Sequence, residues 1–102
     1  MSALKEFKIF EWDQGNVKKS YKKHGVTPSE SEEIFLDRDL KIIKDVKRSQ
    51  KEDRFIAIGK SFRKKTLFVV YTLRKNIVRI ISARIANRKE RKKHEKAIKE
   101  NS

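Results

Sequence analysis

Cysteine is absent from this sequence, and with it disulfides and thiolate metal sites; the composition suits a reducing interior. Proline occurs once and glycine three times, and no glycine-rich phosphate loop is present, so no nucleotide cofactor is expected. No apolar run is long enough to cross a bilayer, and Met1 to Lys8 mixes charged and apolar side chains instead of forming a signal peptide. A soluble cytoplasmic protein is expected. Acids are also missing from one long stretch. From Arg54 to Lys89 there are 11 Lys/Arg and no Asp or Glu, whereas Met1 to Asp53 carries 12 Lys/Arg against 11 acids. Most of the net charge of +14 therefore sits on one part of the chain. A solubilising surface has no reason to exclude acids from 36 consecutive residues, so a polyanionic partner, nucleic acid first, explains the pattern better.

With 102 residues, 36% of them apolar, the chain suits a single domain with one core. That core is concentrated between Lys65 and Arg84. Thr66 to Leu73 and Ile77 to Ala83 are rich in β-branched and aromatic residues and are separated by Arg74, Lys75 and Asn76, the pattern of an antiparallel hairpin. Leu67, Val69, Tyr71 and Leu73 alternate with Phe68 and Val70, so the first strand is apolar on both faces and belongs inside a sheet. Strict alternation in the second strand puts Ile77, Arg79 and Ile81 on one face, and Val78, Ile80, Ser82 and Arg84 on the other.

Phe7 to Trp12 reads as a half-buried strand, followed by Asp13 as the N-cap of a helix running to His24 and stopped by Gly25. Its apolar face is thin, with Val17, Tyr21 and His24. Thr27, Pro28 and Glu30 form a capping box that starts a second helix, whose Ile34, Phe35 and Leu36 contact the core. Leu40 to Val46 is expected as an edge strand, residues 47–53 as a charged loop, and Phe55 to Ser61 as a strand in which Gly59 marks a bulge or a close approach. Phe62 to Lys65 turns into the hairpin. Asn87 to Glu90 is another capping pattern, and the helix it opens is polar all round, suited to an arm on a partner or to partial order. Arg88 and Lys89 in its first turn oppose the macrodipole, which a phosphate bound there would reverse.

Taken in order, WDQGNVKKSYKKHGVTPSESEEIF from Trp12, RFIAIG from Arg54, FVVYTLR from Phe68 and VRIISAR from Val78 resemble the BrnT family of bacterial type II toxins. Arg88, Glu90, Arg91 and Glu95 continue the family's basic C-terminal helix. The resemblance implies an α+β, RelE-like fold: a small antiparallel sheet with two N-terminal helices on one side and a basic C-terminal helix over residues 85–102. It also implies a ribonuclease that cleaves RNA and stops translation. The implied partners are RNA and a cognate, BrnA-like antitoxin, whose complex with the toxin binds operator DNA. Ser20 stands where the family often has Asn, Phe62 to Lys64 where a Gly is common, and His94 where Tyr is frequent.

Metal-independent RNA cleavage needs a base for the 2′-hydroxyl, cations around the phosphorane and an acid for the leaving oxygen. Arg79 and Arg84 are the leading cations, since each is held on a strand and a guanidinium grips phosphate by two hydrogen bonds. The nearest acids in sequence, Asp53 and Glu90, argue only weakly for strand-end ion pairs instead. Lys23 and His24 enter with the family resemblance; His24 is otherwise equally suited to a helix C-terminal cap. His94 completes the catalytic candidates, with a solvated histidine as the bland alternative. Arg54, Arg63, Lys64, Arg88 and Lys89 are candidates for binding RNA. Tyr71 and Trp12 are more economically core than base-stacking platforms, and Glu11 and Asp13 are weak candidates for a base. No metal ligand cluster is visible. The competing functions are a non-catalytic RNA- or DNA-binding module and a purely protein-binding partner.

Overall fold

The computed structural model describes residues 9–12, 14–48 and 52–101. The expected Asp13 cap, the start of the first strand and part of the 47–53 loop lie outside them. The elements are β1 (Ile9–Trp12), α1 (Gln14–His24), α2 (Pro28–Glu33), β2 (Lys41–Lys44), β3 (Arg54–Lys60), β4 (Thr66–Arg74), β5 (Ile77–Ile85) and α3 (Arg88–Asn101). Single 3₁₀ turns cover Ile34–Leu36 and Val46–Arg48. The second starts at the last residue of the expected edge strand and runs into the expected charged loop. Among the described residues no helix is long and apolar enough to cross a membrane.

The strands form one sheet in the order β1-β5-β4-β3-β2. β4 lies at its centre, which is why its sequence is apolar on both faces. The sheet is mixed, not wholly antiparallel as expected: β1 runs parallel to β5 while the other neighbours are antiparallel. Short turns join β3 to β4 and β4 to β5 and favour antiparallel pairing there, but β1 reaches β5 only through the intervening chain and escapes that constraint. The hairpin loop is Lys75–Asn76 alone, both at positive φ (50° and 68°), as a two-residue primed turn demands, and Arg74 remains in the strand.

One face of the sheet carries the core. Leu67, Val69, Tyr71, Val78, Ile80, Ala83 and Ala57 pack beneath Val26, Ile34 and Phe35, all at most 2% exposed. Removing each large aliphatic from water contributes about 1.5–3 kcal/mol before entropy is counted. Phe35 meets Tyr71 edge-on at 5.3 Å, and Phe55 stacks on Tyr71 at 5.5 Å. Burial pushes the Tyr71 phenol up to about 12. Tyr71 is thus a core residue. Gly59 permits a close approach, not a bulge: a Cβ there would lie 3.2 Å from the Ile34 carbonyl oxygen and 3.0 Å from Leu40 Cδ1, while register with Leu67 is continuous.

Two helices end and begin as their caps dictate. Gly25, at φ +65°, closes α1 by donating its N–H to the Tyr21 carbonyl at 2.9 Å. Thr27 and Glu30 form the capping box of α2. The inward face of α1 differs from the expected one, however. Tyr21 is 60% exposed and His24 is exposed, whereas Ser20 is 5% exposed. A small polar residue lets the helix lie close to β5, so Asn16 and Ser20, not the larger Tyr21, face the sheet.

The C-terminal helix, expected as an arm on a partner or as partly ordered, instead packs on the sheet of its own chain. α3 contacts β3 and β2 and buries His94 and Ala97. Ile58, cross-strand from Phe68 on the face opposite the main core, is fully buried as well. Glu90, His94, Ala97 and Asn101 recur at helical spacing and make the attachments, so a polar helix docks by hydrogen bonds on a narrow stripe. His94 Nε2 sits 2.7 Å from Asp37 Oδ2, and Asn101 reaches Asp39 at 3.3 Å. Burial alone would raise the Asp37 carboxyl, but the Lys60 and Asp39 amides and the His94 ring outweigh it and hold it below its ordinary value.

Candidate functional site

β1 ends at the Trp12–Ile80 pair, so β5 continues beyond it with its outer edge turned toward α1. The Asn16 side-chain amide donates to the Ile81 carbonyl and ties the helix to that edge. Beside this tie lies a groove of about 160 Å³, lined on one wall by Lys19, Ser20, Lys23 and His24 and on the other by Ser82 and Arg84. Residues 16, 19, 20, 23 and 24 share a helical face, which is why one short helix supplies two lysines and a histidine to one wall. Chemically, the groove offers cations, hydroxyls and an imidazole, the equipment to hold an anion and move a proton.

The opposite wall depends on an irregularity. Val70 pairs with Ser82, but Tyr71 pairs with Ile80, so Ile81 is an extra residue in β5. Strict alternation would put Arg79 and Arg84 on opposite faces. The bulge instead aligns Arg79 with Thr72 and Arg84 with Phe68, two positions on the same face of β4. Four residues of strand separate them, roughly 13 Å at a rise of about 3.4 Å each. They share a face without sharing the groove.

Both arginines form ion pairs, the alternative that the sequence favoured only weakly. Arg84 makes a bidentate pair with Glu90, Nη1 to Oε1 at 2.7 Å and Nη2 to Oε2 at 2.8 Å, and its guanidinium lies 4.1 Å over the Phe68 ring. Hydrogen bonding to Glu90 raises the Arg84 pKa further. Arg79 lies 3.7 Å from Glu11 across the β1–β5 pair. The stretch free of acids in sequence is not free of them in space, because β1 and α3 bring carboxylates to it. The anion site anticipated at the start of α3 is likewise filled by the protein: Glu90 N–H donates to Asn87 Oδ1 and Glu90 Oε1 accepts the Asn87 N–H, both at 2.9 Å.

Of the sequence-derived candidates, Lys23, His24 and Arg84 converge on the groove. Arg63 and Lys64, in the β3–β4 turn, and Arg88 and Lys89, opening α3, are exposed at the end of the sheet where β5 finishes. Arg54 and Arg79 lie toward the other end, both in register with Thr72. His94 is 2% exposed, engaged with Asp37, and does not line the groove. Sequence reasoning missed Asn16, Lys19, Ser82 and Glu90. Projecting α1 from Lys23 would have found the first two; Ser82 depended on the bulge. Among the described residues no three His, Asp or Glu side chains come together in a way that could hold a metal ion.

The family described as the ribonuclease toxin, BrnT, of type II toxin-antitoxin systems matches residues 12–90. The chain belongs to the BrnT family. That membership makes it a ribonuclease toxin by family and implies an antitoxin partner. The matched span includes both walls of the groove and ends at Glu90, before His94. A solved structure of the Brucella abortus ribonuclease toxin BrnT is similar in fold, with a TM-score of 0.58 at 21% identity over 78% of this chain and 99% of that one. No curated protein matches the sequence.

Proposed function

We propose that the chain is a metal-independent endoribonuclease of RelE-like fold that cuts RNA at the groove between α1 and β5 and so stops translation in the cytoplasm. A BrnA-like antitoxin neutralises it, and the complex binds operator DNA. The observation that carries the catalytic reading is the convergence of Lys19, Lys23, His24 and Arg84 on one groove.

In the reaction the ribose 2′-hydroxyl attacks the adjacent phosphorus, the bond to the 5′-oxygen breaks, and the products are a 2′,3′-cyclic phosphate and a 5′-hydroxyl. His24, exposed at the end of α1, takes the hydroxyl proton. Arg84 and Lys19 neutralise the non-bridging oxygens, whose charge grows in the transition state, and the Lys23 ammonium gives a proton to the departing 5′-oxygen. Exposed Arg63, Lys64, Arg88 and Lys89 hold the flanking backbone, and Arg54 and Arg79 extend the cationic track across the sheet.

Incubation of the purified protein with single-stranded RNA in EDTA tests this. Fragments ending in 2′,3′-cyclic phosphate are expected. Intact RNA with undiminished binding would instead indicate a non-catalytic RNA-binding module.

A further inference from the structure

The Glu90 carboxylate does two jobs with one group. It closes the capping box of α3 through the Asn87 N–H, and it grips both terminal nitrogens of Arg84. Arg84 Nη1 also donates to the Ile85 carbonyl at 3.3 Å, and the Phe68 ring lies against the guanidinium face. A long flexible side chain is thus fixed by a carboxylate, a carbonyl and a ring. These bonds use three of the five N–H donors of the guanidinium. An arginine already ordered loses less freedom when it meets a transition state than one that must first be captured.

We propose that Glu90 is a positioning residue for RNA cleavage, holding Arg84 with its uncommitted N–H groups available to the groove. The proposal rests on the ribonuclease reading above. It separates two roles for acids near an anion site. An acid placed merely to balance charge would weaken RNA binding by repulsion, and its removal would improve KM. An acid that orients Arg84 contributes chiefly in the transition state, and its removal lowers kcat. Burial would push the Glu90 carboxyl up, but Arg84 and the Asn87 amide hold it below its ordinary range, so it remains an anionic clamp at neutral pH.

The test is Glu90→Gln. Glutamine still serves as the third residue of a capping box, so the helix start is retained while the charged clamp is lost. The expected result is a kcat lowered about tenfold or more with KM within about threefold and an almost unchanged Tm, since the loss falls on the transition state. In an Arg84→Ala background the same substitution should add less than a twofold further loss, because Glu90 acts through Arg84. Unchanged or improved cleavage by Glu90→Gln, or an equal effect in both backgrounds, overturns the role of Glu90 alone. Absence of cleavage by the wild-type protein overturns the ribonuclease reading and this proposal with it.

Discussion

Arg79 and Arg84 lie on the same face of β5 because Ile81 bulges between them and shifts the alternation of the strand by one residue. Arg84 lines the groove and pairs with Glu90, whereas Arg79 lies outside it and pairs with Glu11; on the proposed reading this divides their tasks.

Substitution should reveal that division. Arg84→Lys is expected to lower kcat at least tenfold, since a lysine cannot reproduce the fork that engages Glu90 and a phosphate together. Arg79→Ala should leave kcat near wild type, weaken RNA binding, and reduce the slope of log K against log salt by about one phosphate contact. Single-turnover kinetics and salt titrations check both; a dead Arg79→Ala beside an active Arg84→Lys would reverse the assignment.

The Asp37–His94 contact governs how α3 is held. Asp37 has a pKa below its ordinary value of 3.8, so the stability it contributes is present above that value and disappears as pH falls through the lowered one. Asp37→Asn should cost roughly 1–3 kcal/mol at neutral pH, with a deficit that shrinks in acid below the ordinary carboxylate value. Thermal unfolding of both proteins across that range measures it, and a deficit independent of pH would show that the charge plays no part.

His94 is buried against Asp37 and stands apart from the groove. We expect His94→Gln to lower Tm by several degrees, equivalent to about 1–2 kcal/mol, while RNA cleavage per folded molecule stays within threefold. A loss of kcat beyond a hundredfold in a folded variant would restore His94 to the catalytic set.

Two glycines should respond to alanine for different reasons. At Gly59 the added methyl meets the backbone carbonyl oxygen of Ile34 at 3.2 Å, a group that cannot swing aside, and a loss of about 1–3 kcal/mol is expected. Around Gly25 there is nothing within 4 Å, so only the positive φ opposes a side chain and the cost is about 1–2 kcal/mol. Chemical denaturation separates the two if Gly59→Ala alone disturbs the packing of Ile34.

Much of this protein follows from local chemistry. The capping boxes at Thr27–Glu30 and Asn87–Glu90, the stop at Gly25 and the two-faced apolar strand that became β4 all rest on short-range rules, whereas the choice between bulge and close approach at Gly59 was left to tertiary packing. The family likeness was also legible in the ordered motifs from Trp12 to Arg84. Only the tertiary structure decided where charges meet. Nothing in the local pattern marks Ile81 as a surplus residue, since a bulge is defined by the partner strand it fails to match. The burial of His94 and the capture of Arg84 by Glu90 depend likewise on α3 returning to the sheet. Hydrogen-bond caps are settled within a few residues, whereas electrostatic partners are chosen by whichever distant segments packing brings within a few ångströms.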